Sequence, residues 1–165
     1  MTERIQLPNL STQKDFGGTA FSPIYTTTVT VSGGVASHGR ASGRAQSSDS
    51  ALDIDLRMPG ELGGDGRATN PEQLFAAGFA ACFHGALSLV ARQEEFDPAD
   101  ISVDATVAFG RDPNDGGYLL RVELVVNWPE VDPETATPLL EQAEALCPYA
   151  RMAWHGTPTT ITLAP

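Results

Sequence analysis

Cysteine is scarce in this sequence, with two residues in 165, at positions 82 and 147. In the reducing cytoplasm that we expect for this chain, so few cysteines argue against a structural bridge and leave free or catalytic thiols. On the count alone, a buried cysteine that acts as a small hydrophobic side chain is the commoner case. The length is that of one domain with a sizeable core.

Basic residues are also few. The sequence has 10 Lys and Arg and 21 Asp and Glu, which gives a net charge of −11. This balance argues against nucleic acid or an anionic membrane surface as a partner. No uninterrupted apolar run reaches the roughly 18 residues that a membrane helix needs. The first residues contain no apolar stretch of the signal-peptide type. A cytoplasmic protein without a membrane partner is therefore the expectation.

Residues 1–24 have no clear hydrophobic period and are interpreted as an N-terminal arm or tail, followed by one domain over residues 25–165. Alternation of apolar and polar residues predicts the strands of that domain. They are expected at Tyr25–Ser32, Ala45–Ser48, Ala51–Arg57, Ile101–Phe109, Tyr118–Trp128 and Thr159–Leu163. With two helices placed between them, this order indicates an α+β fold with a largely antiparallel sheet.

The first helix is predicted from its start signals. Asn70 suits the N-cap, Pro71 the first helical position and Glu72 the first turn, and the helix should continue to about Gln93. The middle of this helix is nearly all Ala and Gly, so other elements can approach it closely and it should be central. The second helix is expected from about Thr137 to Leu146, because Pro138 favours a start there.

Cys82 lies within the first helix and can act as a nucleophile only as a thiolate. It is about 15 Å along the helix from Glu72, beyond the reach of that helix's own dipole. Burial alone would raise the pKa of Cys82, so activation requires a positive charge from another element. Arg40 and Arg44, in the Gly-rich segment after the first strand, are the candidates. An arginine beside the Cys82 thiol can lower the pKa of that thiol by about 1–3 units.

Glu72 is the candidate to orient that arginine, through a two-pronged hydrogen bond. A long arginine bridging part of the distance within one chain is one arrangement. The alternative, which we favour, is that Glu72 serves the site of a second subunit, and it predicts a homodimer with sites at the interface. Glu72 could also be no more than a favourable first-turn acid.

Cys147 is either a core residue or a resolving thiol that condenses with a sulfenic acid on Cys82. The two cysteines are 65 positions apart, so only the fold can bring their Cα atoms within the roughly 4.4–6.8 Å that a disulfide needs. A zinc site from Cys82, His84, Cys147 and His155 lacks the usual paired-ligand spacing. His84 is two residues from Cys82 and therefore projects to a different side of the helix.

A long motif carries a family resemblance. It runs from Thr69 to Phe83, is preceded by the Gly- and Arg-bearing segment around Arg40 and Arg44, and is followed by Cys147-Pro148-Tyr149. In these residues the chain resembles the organic hydroperoxide resistance (Ohr) branch of the OsmC superfamily, over about residues 25–164.

The resemblance implies an intertwined homodimer with antiparallel sheets around a central helix, and reduction of organic or fatty-acid hydroperoxides to alcohols. It makes Cys82 the peroxidatic cysteine, Cys147 the resolving cysteine, Arg40 the activating arginine and Glu72 its partner, with Arg44 as the alternative arginine. The implied reductant is a dithiol of the dihydrolipoamide type, free or on a lipoylated protein. No bound cofactor and no metal are implied.

Phe75, Phe79 and Phe83 are candidate walls of an apolar pocket, with core packing as the alternative for at least one of them. The segment around Trp154 departs from the family pattern and could reshape the pocket or the dimer contact. Three other functions stay open at this point. They are an OsmC-type peroxidase of different substrate range, a non-catalytic protein that binds an apolar ligand, and a cysteine hydrolase, which needs a base near the thiol.

Overall fold

The computed structural model describes residue 18 and residues 20–35, 42–129 and 131–165. Three strands precede a long helix, and a hairpin and two further helices follow it. The elements are β1 (Val29–Ser32), β2 (Gly43–Ser47), β3 (Asp53–Leu56), α1 (Pro71–Gln93), β4 (Ser102–Arg111), β5 (Tyr118–Asn127), α2 (Pro133–Leu146) and α3 (Pro148–His155). Most of the predicted N-terminal arm, residues 1–17 and 19, lies outside the described residues.

The first three strands form an antiparallel meander in the order β1-β2-β3. Val31 of β1 pairs with Ala45 of β2, which pairs in turn with Ile54 of β3. All four residues of β1 are exposed. An isolated bridge between Leu56 and Thr69 connects this sheet to the residues just before α1. Within the described residues, β1 is therefore an outer strand with no further strand beside it.

Helix α1 begins and ends where its sequence predicts. The Asn70 side chain accepts a hydrogen bond from the backbone N–H of Gln73 at 2.9 Å, and Pro71 occupies the first helical position. The start at Pro71 and the end at Gln93 are thus confirmed. One face carries the buried residues of α1, which are Phe79, Phe83, Leu87, Val90 and Ala91. Their spacing of three and four residues is that of an amphipathic helix.

Strands β4 and β5 form a ten-residue antiparallel hairpin, from the pair Ser102–Asn127 to the pair Arg111–Tyr118. The hairpin and α2 both pack on α1, so α1 is the central element. The core between them includes Leu87, Ile101, Trp128, Leu139 and Ala143. Two antiparallel sheets and three helices confirm the predicted α+β class.

Helix α1 is also apolar enough, and long enough, to cross a membrane by composition and length alone. A core helix passes the same test, so this property by itself does not indicate a membrane. Only 28% of its most apolar 18-residue window is buried in the single chain. Much of the apolar surface of α1 is therefore uncovered by the described residues.

The predicted start of α2 is wrong. The helix begins at Pro133 rather than Thr137, because Asp132 caps it by accepting the backbone N–H of Thr135 at 3.0 Å. Pro138 consequently lies inside the helix, where it lacks the N–H that would bond the carbonyl of Glu134. A cap and a proline at the first helical position outweigh one missing hydrogen bond.

Replacing the exposed Pro138 by alanine is expected to raise the free energy of unfolding by about 1–2 kcal/mol. An interior proline costs a helix about 3 kcal/mol, and the stiffening of the unfolded chain offsets about 1 kcal/mol of that cost. Urea denaturation, monitored by circular dichroism, measures the change in the free energy of unfolding. Glu141→Ala, also exposed on α2, is the matched control, and equal stabilisation by both variants would contradict this account.

The predicted C-terminal strand at Thr159–Leu163 is also wrong. Residues 156–165 form no regular structure, and Ile161 and Leu163 are 94% and 97% exposed. Alternating side chains form a strand only when a neighbouring strand accepts their hydrogen bonds, and no described strand lies beside this segment. Strand β1 is shorter than predicted for a similar reason, because only Val29–Ser32 pairs with β2.

Candidate functional site

The two cysteines meet although 65 positions separate them in the sequence. The Sγ atoms of Cys82 and Cys147 are 3.2 Å apart. This separation exceeds the roughly 2.05 Å of a disulfide bond, and both residues are free thiols. Cys82 is half-buried on α1, whereas Cys147 is fully buried. The arrangement is that of a reduced pair that can close into a bond with a small displacement.

Cys147 reaches this position because it joins two helices. It ends α2, where its N–H donates to the carbonyl of Ala143 at 2.9 Å, and it is also the N-cap residue of α3. Its backbone is extended, with φ −74° and ψ 115°, as expected for a residue before a proline. The change of direction at Pro148 places the thiol against α1.

Tyr149 is the neighbour of Cys82 that the sequence analysis missed. Its backbone N–H is near enough to the Cys82 thiol to favour the thiolate form. Its ring stacks on Phe75, with centroids 6.4 Å apart, and meets Phe79 edge-on at 5.9 Å. The Cys-Pro-Tyr motif was the available signal, because Tyr149 is two residues from Cys147 and so lies against the same part of α1.

Burial raises the pKa of the Cys82 thiol, and this effect dominates. The N–H of Tyr149 lowers the same pKa, and the adjacent Cys147 raises it. The net direction is upward from the ordinary value, so the described residues leave Cys82 mostly protonated at neutral pH. A reactive Cys82 requires a further positive charge.

Of the two candidate arginines, the structure describes only Arg44. Arg40 lies outside the described residues. Arg44 is on β2, where its Nη2 is 2.7 Å from Oδ2 of Asp53 on β3. This pairing raises the pKa of Arg44 and lowers that of Asp53. Arg44 would have to leave Asp53 to serve Cys82.

Glu72 is not brought to Cys82 within one chain. The two residues are ten positions apart on the continuous helix α1, about 15 Å along its axis. Glu72 is half-buried and lies in a separate cleft, of about 520 Å³, between the first turns of α1 and strand β4. Val107 and Phe109 form the β4 side of that cleft.

The profile of the family described as OsmC-like protein matches residues 64–162, more than half of the sequence. The chain belongs to the OsmC-like protein family. An organic hydroperoxide resistance protein of Xanthomonas axonopodis pv. citri is 43% identical over 143 residues, which are 86% of this chain and 95% of that protein.

Two solved structures are similar to this OsmC family member. An organic hydroperoxide resistance protein from Legionella pneumophila has a TM-score of 0.71 and 38% identity, and the match covers 82% of this chain and 93% of that one. OhrB of Bacillus subtilis has a TM-score of 0.68 and 40% identity, with 81% and 93% covered.

In this OsmC family member, an apolar groove of about 470 Å³ lies beside Cys82. It is lined by Cys82, Gly85, Ala86, Ser88, Leu89, Arg92, Leu146 and Pro148. The three predicted pocket phenylalanines are not in this lining. Phe79 and Phe83 are core residues, 4% and 7% exposed, and Phe75 packs against that core. Residues of α1 between Cys82 and Arg92, together with the α2–α3 junction, form the groove instead.

The two histidines in the described part of the chain, His84 and His155, are not among the residues that line the groove beside Cys82. His84 Nε2 is 3.1 Å from the carbonyl oxygen of Ile101, which occupies that ring nitrogen. His155 ends α3, where the Trp154 indole N–H donates to Glu144 of α2 at 2.6 Å. Among the described residues, no three Cys, His, Asp or Glu side chains cluster closely enough to hold a metal ion.

Proposed function

We propose that this chain is a cysteine-based peroxidase that reduces organic hydroperoxides to alcohols and so contributes to defence against oxidative stress. The observation that carries the proposal is the 3.2 Å contact between the sulfurs of Cys82 and Cys147. The names of its relatives, organic hydroperoxide resistance proteins at 43% identity, support the substrate class. The apolar groove beside Cys82 supports it independently.

In the first step, the Cys82 thiolate attacks the distal oxygen of the hydroperoxide. The O–O bond breaks, the sulfur becomes a sulfenic acid, and the alkoxide takes up a proton and leaves as an alcohol. Two electrons pass from the sulfur to the peroxide. Cys82 is the better placed of the two cysteines for this step, because it is half-buried and lines the groove, whereas Cys147 is fully buried.

In the second step, Cys147 attacks the sulfur of the Cys82 sulfenic acid. A disulfide forms and the hydroxyl group leaves as water after taking up a proton. An external dithiol then reduces the disulfide and is itself oxidised to a disulfide. A dihydrolipoamide-type dithiol, free or carried on a lipoylated protein, fits this role, and a reducing compartment such as the cytoplasm would keep the pair as thiols.

Activation of Cys82 is assigned to Arg40, oriented by Glu72. Because Glu72 lies about 15 Å along α1 from Cys82, we assign it to the site of a second subunit. Two features of the single chain support an intertwined homodimer. Much of the apolar surface of α1 is uncovered, and the outer strand β1 exposes Val29 and Val31.

The groove should favour bulky organic hydroperoxides over hydrogen peroxide. Each methylene of a substrate tail that leaves water contributes about 0.8 kcal/mol, close to a fourfold gain in binding per methylene. Leu89, Leu146 and Pro148 supply apolar surface at the side of Cys82. Hydrogen peroxide has no tail to bury.

The test is oxidation of the reduced protein by cumene hydroperoxide and by hydrogen peroxide. Stopped flow measures the rate, and mass spectrometry identifies the product. We expect faster oxidation by cumene hydroperoxide, with loss of two thiols per peroxide and a Cys82–Cys147 disulfide. In Cys147→Ser, the reaction should stop at a Cys82 sulfenic acid that dimedone traps. Equal, slow oxidation by both peroxides without the disulfide would refute the proposal and favour a non-catalytic protein that binds apolar ligands.

A further inference from the structure

One charged side chain lines the apolar groove beside Cys82. Three residues of its lining have polar side chains, Cys82, Ser88 and Arg92, and the rest are Gly, Ala, Leu and Pro. Cys82 and Arg92 are the first and last residues of α1 in this lining, ten positions and about 15 Å apart along the helix axis. The groove therefore joins a thiol to a cation across an apolar wall.

The Arg92 side chain belongs to the groove because of the direction in which helical side chains lean. They point towards the helix N-terminus and cover the turn before their own Cα atom. For Arg92 that turn contains Ser88 and Leu89, which also line the groove. The guanidinium is therefore expected about one turn closer to Cys82 than its own Cα atom, roughly 10 Å from the thiol along the axis.

Arg92 has no carboxylate partner within the described part of the chain. The arginine ion pairs found there are those of Arg44 with Asp53 and of Arg57 with Asp55. A cation in the last turn of a helix is favourable in its own right, but this effect does not require the side chain to line a groove. The exposed guanidinium keeps its five N–H donors for a ligand.

Ser88 adds a second polar group one turn before Arg92. Residues four apart are neighbours on the surface of a helix, so the hydroxyl and the guanidinium lie on the same side of α1. The Ser88 Oγ is buried and has no hydrogen-bond partner among the described residues. A buried hydroxyl without a partner is destabilising. Rotation about its Cα–Cβ bond turns the hydroxyl into the groove, where a ligand would supply the missing acceptor.

We propose that Arg92, with Ser88 beside it, forms a specificity-determining site that binds a carboxylate at the far end of the substrate's apolar tail. The inference rests on the proposed function, in which the hydroperoxide group reacts at Cys82. A planar guanidinium binds a carboxylate through two parallel N–H···O bonds, and the Ser88 hydroxyl donates a third bond. The tail lies between the two ends, against Leu89 and Leu146. The preferred substrate is thus a fatty acyl hydroperoxide with a free acid group rather than its ester.

One consequence concerns the source of the substrate. A fatty acyl hydroperoxide that is still esterified in a lipid has no free carboxylate, so hydrolysis of the ester should precede its reduction by this protein. The chain has a net charge of −11, which opposes the approach of any anion. Arg92 is then the local charge that admits a fatty acid, and raised salt should weaken the preference for the acid over the ester.

The test compares one hydroperoxide in two forms, the hydroperoxide of linoleic acid and that of its methyl ester, below the concentrations at which they aggregate. The tail and the peroxide group are the same, and only the carboxylate differs. We expect the acid to oxidise the reduced protein about tenfold faster than the ester at low substrate concentration. In Arg92→Gln the ratio of the two rates should fall to about one. In Ser88→Ala it should fall about threefold.

Arg121→Gln is the matched control, because it removes the same charge from an exposed residue of β5 that does not line the groove. This variant should keep the wild-type preference for the acid. Equal rates with the acid and the ester in the wild type would overturn the inference. A preference for the acid that survives in Arg92→Gln would overturn it as well.

A binding measurement separates this inference from the proposed function. Decanoate has an apolar tail and a carboxylate but no peroxide, and calorimetry measures its binding to the reduced protein. The wild type and Arg121→Gln should bind decanoate about tenfold more tightly than Arg92→Gln. Binding that depends on Arg92 in a protein that no peroxide oxidises would refute the peroxidase and uphold the carboxylate site. Rapid oxidation by the acid and the ester alike would do the reverse.

Discussion

Replacing Cys82 by serine is expected to lower the rate of organic hydroperoxide reduction by about 10³-fold or more, because loss of a nucleophile removes the covalent step. The fold should persist. Serine is close to cysteine in size, and Cys82 is only half-buried. We expect the free energy of unfolding to change by less than about 1 kcal/mol.

The measurement is consumption of a dithiol with cumene hydroperoxide as the oxidant. Gln93→Ala is the matched control, since Gln93 is an exposed residue at the end of the same helix and does not line the groove. It should retain the wild-type rate. A Cys82→Ser protein that still reduces the peroxide would place the chemistry elsewhere and defeat the proposed mechanism.

Under the proposed function, in which Arg40 is the cation beside Cys82, replacing Arg40 by glutamine is expected to raise the pKa of Cys82 by about 1–3 units. At neutral pH the thiolate fraction, and with it the rate of peroxide attack, should fall about 10- to 1,000-fold. The sign of the pH dependence is a further check. Activity should rise with pH until it passes the raised pKa, where the variant approaches the wild type.

Arg44→Gln is the matched variant for this experiment. Arg44 is already paired with Asp53, so its removal should break a surface contact and leave the pKa of Cys82 in place. The thiolate absorbance of both variants, titrated side by side, decides between the two arginines. A raised pKa in Arg44→Gln with none in Arg40→Gln would reverse our assignment and require the pair with Asp53 to open.

The elements that the sequence predicted well are those whose signals are local. Helix α1 is specified by Asn70 and Pro71 at its start and by the spacing of its apolar residues. The start of α2 was misjudged because two local signals conflict, the cap at Asp132 and the proline at 138. Their relative weight depends on how the helix packs, and the sequence does not state that.

Non-local features were the harder ones. The strand expected at 159–163 needs a neighbour to pair with, and alternation alone does not provide one. The contact of Cys82 with Cys147 depends on where α2 ends against α1, so spacing could only permit it. The packing of the Tyr149 ring on Gly78 likewise depends on how α3 lies against α1, which no local pattern specifies.

The position of Cys147 helps to distinguish related chains that carry out thiol chemistry from those that do not. Its backbone angles suit any residue before a proline, and its site asks only for a small side chain. The fold alone would tolerate alanine or serine at position 147. A lineage that abandoned thiol chemistry would thus be free to drift at this position while it retained Asn70-Pro71, which α1 needs in order to start. Under the proposed function, a cysteine at this position indicates retained thiol chemistry, whereas the helix-start motif indicates only a shared fold.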